Sequence, residues 1–323
     1  MKVLFYGFQH GHIFSLYEKV KKNEELEIVA CIEDDANKRE EIKETKGIVC
    51  SSENLEYWLN KDVDIVAIGD KYGKRGKAVI KALKAGKHVI ADKPICTSRE
   101  ELNEIIAISK EKGLKVGCML DLRDAKGTQI VKKILTEKTY GEVKNIMFTG
   151  NHCVDYAHRP SWYFEEGMHG GTINDIAIHG VDLVTYLTGL KFAKINSART
   201  WNSYAYKTPD FKDSAIFMAE LDNGAGVLAD VSYSAPSQVF TMPTYWDFKF
   251  WCKDALVHYN FVAGEVTVYA EGETGPKKII LDVAENDYLA SFIKDVKENV
   301  TEFTDGVLLA TSQTLAIQEY ADK

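Results

Sequence analysis

Between residues 2 and 120 the chain alternates short apolar runs with charged, amphipathic stretches, and this constrains its fold more than any other feature. Apolar runs over 3–6, 27–32, 48–50, 64–68, 88–91 and 114–119 predict strands. The stretches between them, over 12–22, 37–46, 53–60, 76–85 and 98–112, predict helices. Val79, Ile80 and Leu83 recur at helical spacing, as do Leu102, Ile105 and Ile106. Short strands apolar on both faces need cover on both faces, so a doubly wound parallel sheet is expected.

The pattern changes after about residue 120. A helix is predicted over 123–137, a strand over 143–151, a polar and aromatic loop over 152–170, and a helix over 172–188. Strands then follow without intervening helices, around 193–204, 213–221, 225–234, 245–252, 255–261, 265–270 and 277–282, before two closing helices. Turn signals such as Asp222-Asn223-Gly224 separate some of them. This reads as an α/β domain with a large open, mostly antiparallel sheet. The boundaries expected are 1–120 for the domain with the parallel sheet and 121–323 for the domain with the open sheet. Over 245–252 aromatic side chains fall on both faces of the strand. One face is expected to pack on helices and the other on a second subunit, giving a homodimer or homotetramer.

A length of 323 residues fits two domains. The net charge is −8 and no basic stripe appears, so nucleic acid is not an expected partner. No apolar run reaches the length of a membrane span, and the first residues lack the long apolar region of a signal peptide. None of the six cysteines forms a C-x-x-C pair. Free thiols in a reducing cytoplasm are expected.

A dinucleotide site asks for G-x-G-x-x-G after the first strand, with an acid about twenty residues on. The turn here is Gly7-Phe8-Gln9-His10-Gly11-His12. Gly7 fits the first position, while Gln9 and His12 stand at the second and third. Gly11 can allow close backbone approach, and His10 or His12 can hydrogen-bond a phosphate. Taken alone, the stretch reads equally as a plain strand-to-helix turn. The second strand runs into Glu33-Asp34-Asp35. Glu33 is placed to accept from a ribose diol, and adjacent acids, Asp34 among them, repel a 2′-phosphate, which favours NAD over NADP. The same acids also suit a helix N-terminus.

His88-Val-Ile-Ala-Asp-Lys-Pro-Ile95 ends a predicted strand in Lys93-Pro94. Proline restricts the residue before it, which sets Lys93 at the carboxyl edge of the sheet, where open α/β sheets bind ligands. A bare Lys-Pro is also compatible with a surface turn. Later, Gly170-Gly171 opens a helix carrying Asp175 and His179, four apart and on one face. A histidine there can take a proton from an alcohol near neutral pH; an ion pair within the helix is the structural alternative. The preceding loop holds His152, Tyr156, Arg159, Trp162 and Tyr163, a mixture of rings and polar groups that suits a sugar or polyol. His152, His158 and His169 lack compact ligand spacing, so no metal site is expected.

These residues resemble the Gfo/Idh/MocA family of NAD(P)-dependent oxidoreductases over nearly the whole chain. The family's E-K-P after A-G-K-H-V matches Asp92-Lys93-Pro94 after Ala85-Gly86-Lys87-His88-Val89, with aspartate for glutamate. Its G-G-x-x-x-D-x-x-x-H matches Gly170, Gly171, Asp175 and His179. The resemblance implies a Rossmann domain followed by an α/β domain whose open sheet serves oligomerisation. It makes Lys93, Asp175 and His179 the catalytic set, with His179 accepting the hydroxyl proton as hydride leaves for the nicotinamide. Lys93 would position that hydroxyl and stabilise alkoxide charge, and Asp175 would orient or tune the pair. The phosphate loop departs from the family in its second and third glycines. The family's T-P-N-x-x-H becomes Asp70-Lys71-Tyr72-Gly73-Lys74-Arg75, which puts Asp70 and Arg75 on the cofactor side and Arg75 where histidine is usual. The leading expectation is therefore a sugar, glycoside or inositol dehydrogenase. Alternatives are a glycoside hydrolase or lyase that uses NAD transiently, and a non-catalytic sensor of the same fold.

Overall fold

The structure, a computed structural model, describes residues 1–236 and 241–323. The chain forms two compact units. The first comprises Met1–Met119, Pro160–Gly170 and Tyr288–Thr311; the second comprises Leu120–Arg159, Gly171–Asp287 and Ser312–Lys323.

In the first unit, strands β1 (Lys2–Tyr6), β2 (Glu27–Ile32), β3 (Ile65–Ile68), β4 (His88–Ala91) and β5 (Val116–Cys118) form one sheet in the order β2-β1-β3-β4-β5. Every pairing is parallel. Helices α1 (His12–Lys22), α2 (Ala36–Lys46), α3 (Leu55–Leu59), α4 (Tyr72–Lys84) and α5 (Arg99–Lys112) supply the crossovers. Strand β3 is buried at all four positions, as expected of a strand covered on both faces. The strand order reverses between β1 and β3, and the turns after both strands meet at that switch point. A Cβ on Gly7 would lie 2.6 Å from the Asp70 backbone nitrogen, so these two turns approach as closely as glycine allows.

The sequence predicts a strand over 48–50, and the structure corrects this. Only an isolated bridge between Ile32 and Ser51 forms there. Ile48 is buried but Val49 is 75% exposed, so just part of the apolar run finds cover beside β2.

The second unit holds an eight-stranded sheet in the order β13-β12-β11-β10-β6-β9-β8-β7. Its strands are β6 (Val143–Thr149), β7 (Phe192–Trp201), β8 (Ser214–Leu221), β9 (Gly226–Asp230), β10 (Asp247–Cys252), β11 (Ala255–Asn260), β12 (Glu265–Ala270) and β13 (Lys277–Lys278). All pairings are antiparallel except that of β6 with β9. One face carries Ile146, Phe148, Phe217, Phe248, Phe250 and Tyr259, all buried. Helices α6 (Lys126–Thr136) and α7 (Ile178–Thr188) pack there. A Cβ on Gly127 would strike the Tyr259 ring, and one on Gly180 would strike Phe148. The other face leaves Met147, Ile216, Met218, Leu228, Trp251 and Tyr269 exposed. The strand predicted over 277–282 shrinks to two residues. It is the last strand of the sheet, and Ile280 beyond it is 87% exposed with nothing to cover it. Helices α8 (Tyr288–Glu298) and α9 (Glu302–Ala321) close the chain.

Candidate functional site

In the first unit the candidate chemistry gathers at the carboxyl ends of β1 and β4. Strand β4 ends at Ala91, and Asp92 and Lys93 follow, both buried. The Lys93-Pro94 bond is cis. Lys93 is 4% exposed, so its ammonium does not stand in open water. Its Nζ lies 5.8 Å from the centre of the Tyr72 ring, within reach of a cation–π attraction.

Asp92 is the hub of this region. Its Oδ1 accepts the Lys93 backbone N–H at 2.7 Å. His10 Nδ1 lies 2.6 Å from Oδ2 and His12 Nδ1 lies 3.2 Å from Oδ1. The Arg75 guanidinium stands 3.4 Å from Oδ2. Burial pushes the Asp92 carboxyl up, but His10, Arg75 and His12 outweigh it and hold it well below the usual range. Burial pushes His10 down, to about 4, against the pull of Asp92. The consistent pair is a neutral His10 donating Nδ1–H to an ionised Asp92, with the Arg75 charge beside it.

Arg75 is fully buried. It donates from Nε and Nη2 to the Asp70 carbonyl at 3.1 and 2.8 Å, and from Nη1 to the Pro94 carbonyl at 2.9 Å. Its guanidinium therefore braces the Lys93-Pro94 turn from behind. Asp70 receives the Lys71 amide on its carboxylate, and burial raises its pKa.

The turn after β1 bends at Gly7, which has φ +78°. Helix α1 begins with Gly11 at its N-cap, no side-chain cap and no acid in its first turn, so its N-terminal amides are not competed for by a carboxylate. That arrangement fits an anionic phosphate. A Cβ on Gly11 would meet nothing within 4 Å, which leaves room for the phosphate there. Glu33, at the end of β2, is buried and already accepts from Phe8 N, Gln9 Nε2 and Asp35 N at 2.7, 2.8 and 3.0 Å. It holds the loop while retaining some acceptor capacity. Asp34 accepts the Tyr6 hydroxyl at 2.7 Å.

Trp162 and Tyr163 belong to this unit and are both buried. The Trp162 indole donates to the Gln9 carbonyl at 3.2 Å, and the hydroxyls of Tyr163 and Tyr72 meet at 2.9 Å. These rings cover the phosphate loop and wall the Lys93 side of it.

In the second unit, Gly171 takes φ +95° and leads into a π-helical turn over Ile173–Ala177 before α7 begins. The helix expected over 172–188 is present, and the sequence did not announce the π-helical stretch inside it. A Cβ at Gly171 would strike the Gln318 carboxamide, whose oxygen accepts the Ile173 and Asn174 amides and caps the wide turn. Such turns are rare and concentrate at functional sites. Asp175 lies in the turn, buried, and its carboxylate accepts the Tyr233 hydroxyl. His179, also buried, has Nδ1 3.9 Å from Asp121 Oδ1 and its ring 5.6 Å from that of Trp246.

Around them, His152 Nδ1 donates to the Gly150 carbonyl at 2.7 Å, and its ring lies beside Tyr245, Trp246 and Tyr233. Arg159 donates to the carbonyls of Val154 and Cys153 and lies 4.9 Å over the Tyr233 ring. The Tyr156 hydroxyl meets Thr208 Oγ1 at 2.9 Å. Tyr233, Asp121, Trp246 and Tyr72 escaped sequence reasoning. Tyr233 is 58 residues from the carboxylate it serves, and no local pattern announces such a partner.

Residues 1–119 match the oxidoreductase family with an NAD-binding Rossmann fold, and residues 128–247 match the GFO/IDH/MocA C-terminal domain. The chain belongs to the Gfo/Idh/MocA family. Its relatives include levoglucosan dehydrogenase of Pseudarthrobacter phenanthrenivorans, 29% identical across 43% of this chain and 37% of that one. D-xylose dehydrogenase of Paenarthrobacter nicotinovorans is 26% identical across 55% and 49%. The 2,7-anhydro-N-acetylneuraminate hydratase of Escherichia coli is 25% identical across 75% and 62%. In each case the matched stretch spans less than two thirds of the relative. Among solved structures, levoglucosan dehydrogenase in complex with NADH and levoglucosan superposes with a TM-score of 0.79 at 19% identity, covering 100% of this chain and 97% of that one. Aldose-aldose oxidoreductase of Caulobacter crescentus, complexed with glycerol, gives 0.80 at 18%, covering 100% and 97%. At these identities the structures show a common fold. Among the described residues, no helix is long and apolar enough to cross a membrane.

Proposed function

We propose that this protein is a dehydrogenase that transfers a hydride between NAD and the hydroxyl carbon of a sugar, glycoside or inositol. The single observation that carries the reading is Lys93, buried at the carboxyl end of β4 on a turn braced by Arg75 and Asp92. A buried ammonium with one side of its turn fixed is suited to a developing alkoxide. The names of the relatives, sugar dehydrogenases among them, support the substrate class.

In this reading the first unit binds the dinucleotide. Gly7, Gln9, His10, Gly11 and His12 receive its phosphates, Glu33 and Asp34 its adenosine ribose, and Asp70 and Lys93 line its nicotinamide end. Arg75 acts by positioning Lys93. The nicotinamide, when bound, accepts or returns the hydride. His179 takes the hydroxyl proton, Lys93 stabilises the resulting negative charge, and Asp175 keeps a carboxylate in the same helical region to orient substrate or tune His179. His152, Tyr156 and Arg159 bind substrate hydroxyls, and Trp162 and Tyr163 both hold the phosphate loop and supply rings for the substrate. The exposed face of the eight-stranded sheet joins copies of the chain, and the cytoplasm is its compartment.

A second reading is favoured by one relative being named a hydratase. There the same residues would oxidise, eliminate or add water, and re-reduce, with no net NADH. A panel of sugars and polyols with NAD, followed at the nicotinamide absorbance, separates the two: accumulation of NADH supports the dehydrogenase, and product without NADH the alternative. Lys93→Ala and His179→Ala are each expected to lower kcat by ~10²–10⁴-fold while dinucleotide binding changes far less. Full activity in either variant would overturn the assignment.

A further inference from the structure

The cofactor reading uses His10 and His12 only as hydrogen-bonding groups, yet with Asp92 they form a set of metal-ligating side chains. One ligand atom from each of the three lies within 4.8 Å of the others. We propose that His10, His12 and Asp92 bind a single divalent transition-metal ion of the zinc, cobalt or nickel class.

The donor set is two imidazole nitrogens and the Asp92 carboxylate, whose Oδ2 faces His10 and whose Oδ1 faces His12. Nitrogen donors suit borderline ions of this class, whereas magnesium and calcium prefer oxygen throughout. Three protein ligands leave coordination positions open for water or another donor. The carboxylate is held in place, because Lys93 N donates to Oδ1 at 2.7 Å and Arg75 Nη2 stands 3.4 Å from Oδ2. The His10 ring is fixed by its neighbours, with the Tyr72 ring at 5.3 Å and that of Tyr163 at 6.4 Å. Groups that orient a ligand from behind are as much part of a metal site as the ligands. Entry is open on one side, since the His12 side chain is 42% exposed.

The spacing is close to what an ion requires. Ligands about 2.0–2.2 Å from a tetrahedral ion stand roughly 3.3 Å apart. The His12–Asp92 separation of 3.2 Å meets this already. His10 Nδ1 lies 2.6 Å from the other oxygen, Oδ2, so the ion takes the carboxylate through both oxygens and the His10 ring rotates slightly to make room. Without metal, hydrogens on the imidazole nitrogens fill the gap to the carboxylate. When the ion binds, it takes their place and each neutral ring carries its proton on the other nitrogen. No redox change is involved. Arg75 and Lys93 beside Asp92 repel a cation, so the site binds reversibly rather than as a permanent structural centre.

The test uses the untagged full-length protein, stripped with chelator and desalted. Zinc is titrated by calorimetry and cobalt by visible absorption. Wild type is expected to take up one equivalent, with cobalt bands of nitrogen and oxygen ligation and no thiolate charge-transfer band. His12→Ala and His10→Ala should each weaken binding about tenfold or more. His158→Ala, which removes a histidine with an 82% exposed side chain, should leave it unchanged. His12 lies at the surface, so its variant carries the test should His10→Ala lose its fold by circular dichroism. No saturable binding at millimolar metal, a thiolate band, or binding that survives His12→Ala would each overturn the proposal.

Discussion

Glu33 shows how one side chain can hold a loop and still serve a ligand. Its carboxylate ties down Phe8, Gln9 and Asp35. Three donors leave a carboxylate with room for one more, since its two oxygens offer about four acceptor sites. A ribose hydroxyl would take the last. Glu33→Ala is therefore expected to weaken NAD binding by about 1.5–3 kcal/mol, the worth of a hydrogen bond to a charged group. A fluorescence titration of wild type and variant measures this. Wild type should also bind NAD more tightly than NADP, and equal affinities would remove the role assigned to Glu33 and Asp34. The acid at this position was legible in the sequence from its distance to the first glycine. That the loop itself would occupy most of its acceptors was not, because the Gln9 side chain and the Phe8 amide reach it only through the tertiary turn. Arg75 is a similar case: the sequence places it on the cofactor side, but its donors turn out to be spent on the carbonyls of Asp70 and Pro94.

At the scale of elements, the alternating pattern of residues 2–120 was readable because buried parallel strands leave a continuous apolar signature, seen in Ile65–Ile68. The three-residue run at 48–50 carries the same signature yet makes no strand: β2 offers an open edge beside it, but only Ser51 bridges to Ile32 and Val49 stands in solvent, which periodicity cannot register. The π-turn before α7 was not legible either. It depends on Gly171 and on Gln318, which lies 145 residues beyond Ile173. Helix α7 has a second anchor. Arg123 grips Asp182 through two charge-assisted hydrogen bonds, both groups being buried. Burial raises the Asp182 carboxyl and Arg123 only partly offsets this. Arg123→Ala would strand a buried carboxylate one turn from His179, at a cost of about 3–5 kcal/mol. Thermal or urea unfolding should show that loss. A change near zero would mean that Asp182 protonates or finds another cation without disturbing the helix.

At the scale of the whole molecule, the open face of the eight-stranded sheet is the feature that calls for a partner. Met147, Ile216, Met218 and Leu228 line one groove there together with Arg199 and Asp230. Contiguous exposed apolar surface of this kind is uncommon on monomers and marks association sites. The sequence pointed to this sheet through the aromatics at 245–252: Phe248 and Phe250 face the helices, as expected of one side of the strand, and Trp251 stands exposed on the other. On that exposed side Asp247 bonds Lys249, His258 and Asn260, and the apolar surface comes mainly from Met147, Ile216, Met218 and Leu228. A twofold arrangement would set this patch against its own copy and bury the same side chains twice. Light scattering at micromolar concentration should therefore give at least a dimer. Leu228→Lys changes a side chain that is 53% exposed, so it should leave the protomer folded. In the assembly it would place two like charges in an apolar contact, and the mass should fall toward that of a monomer. A monomeric wild type would remove this interface, and a variant that stays assembled would move it to another surface of the chain.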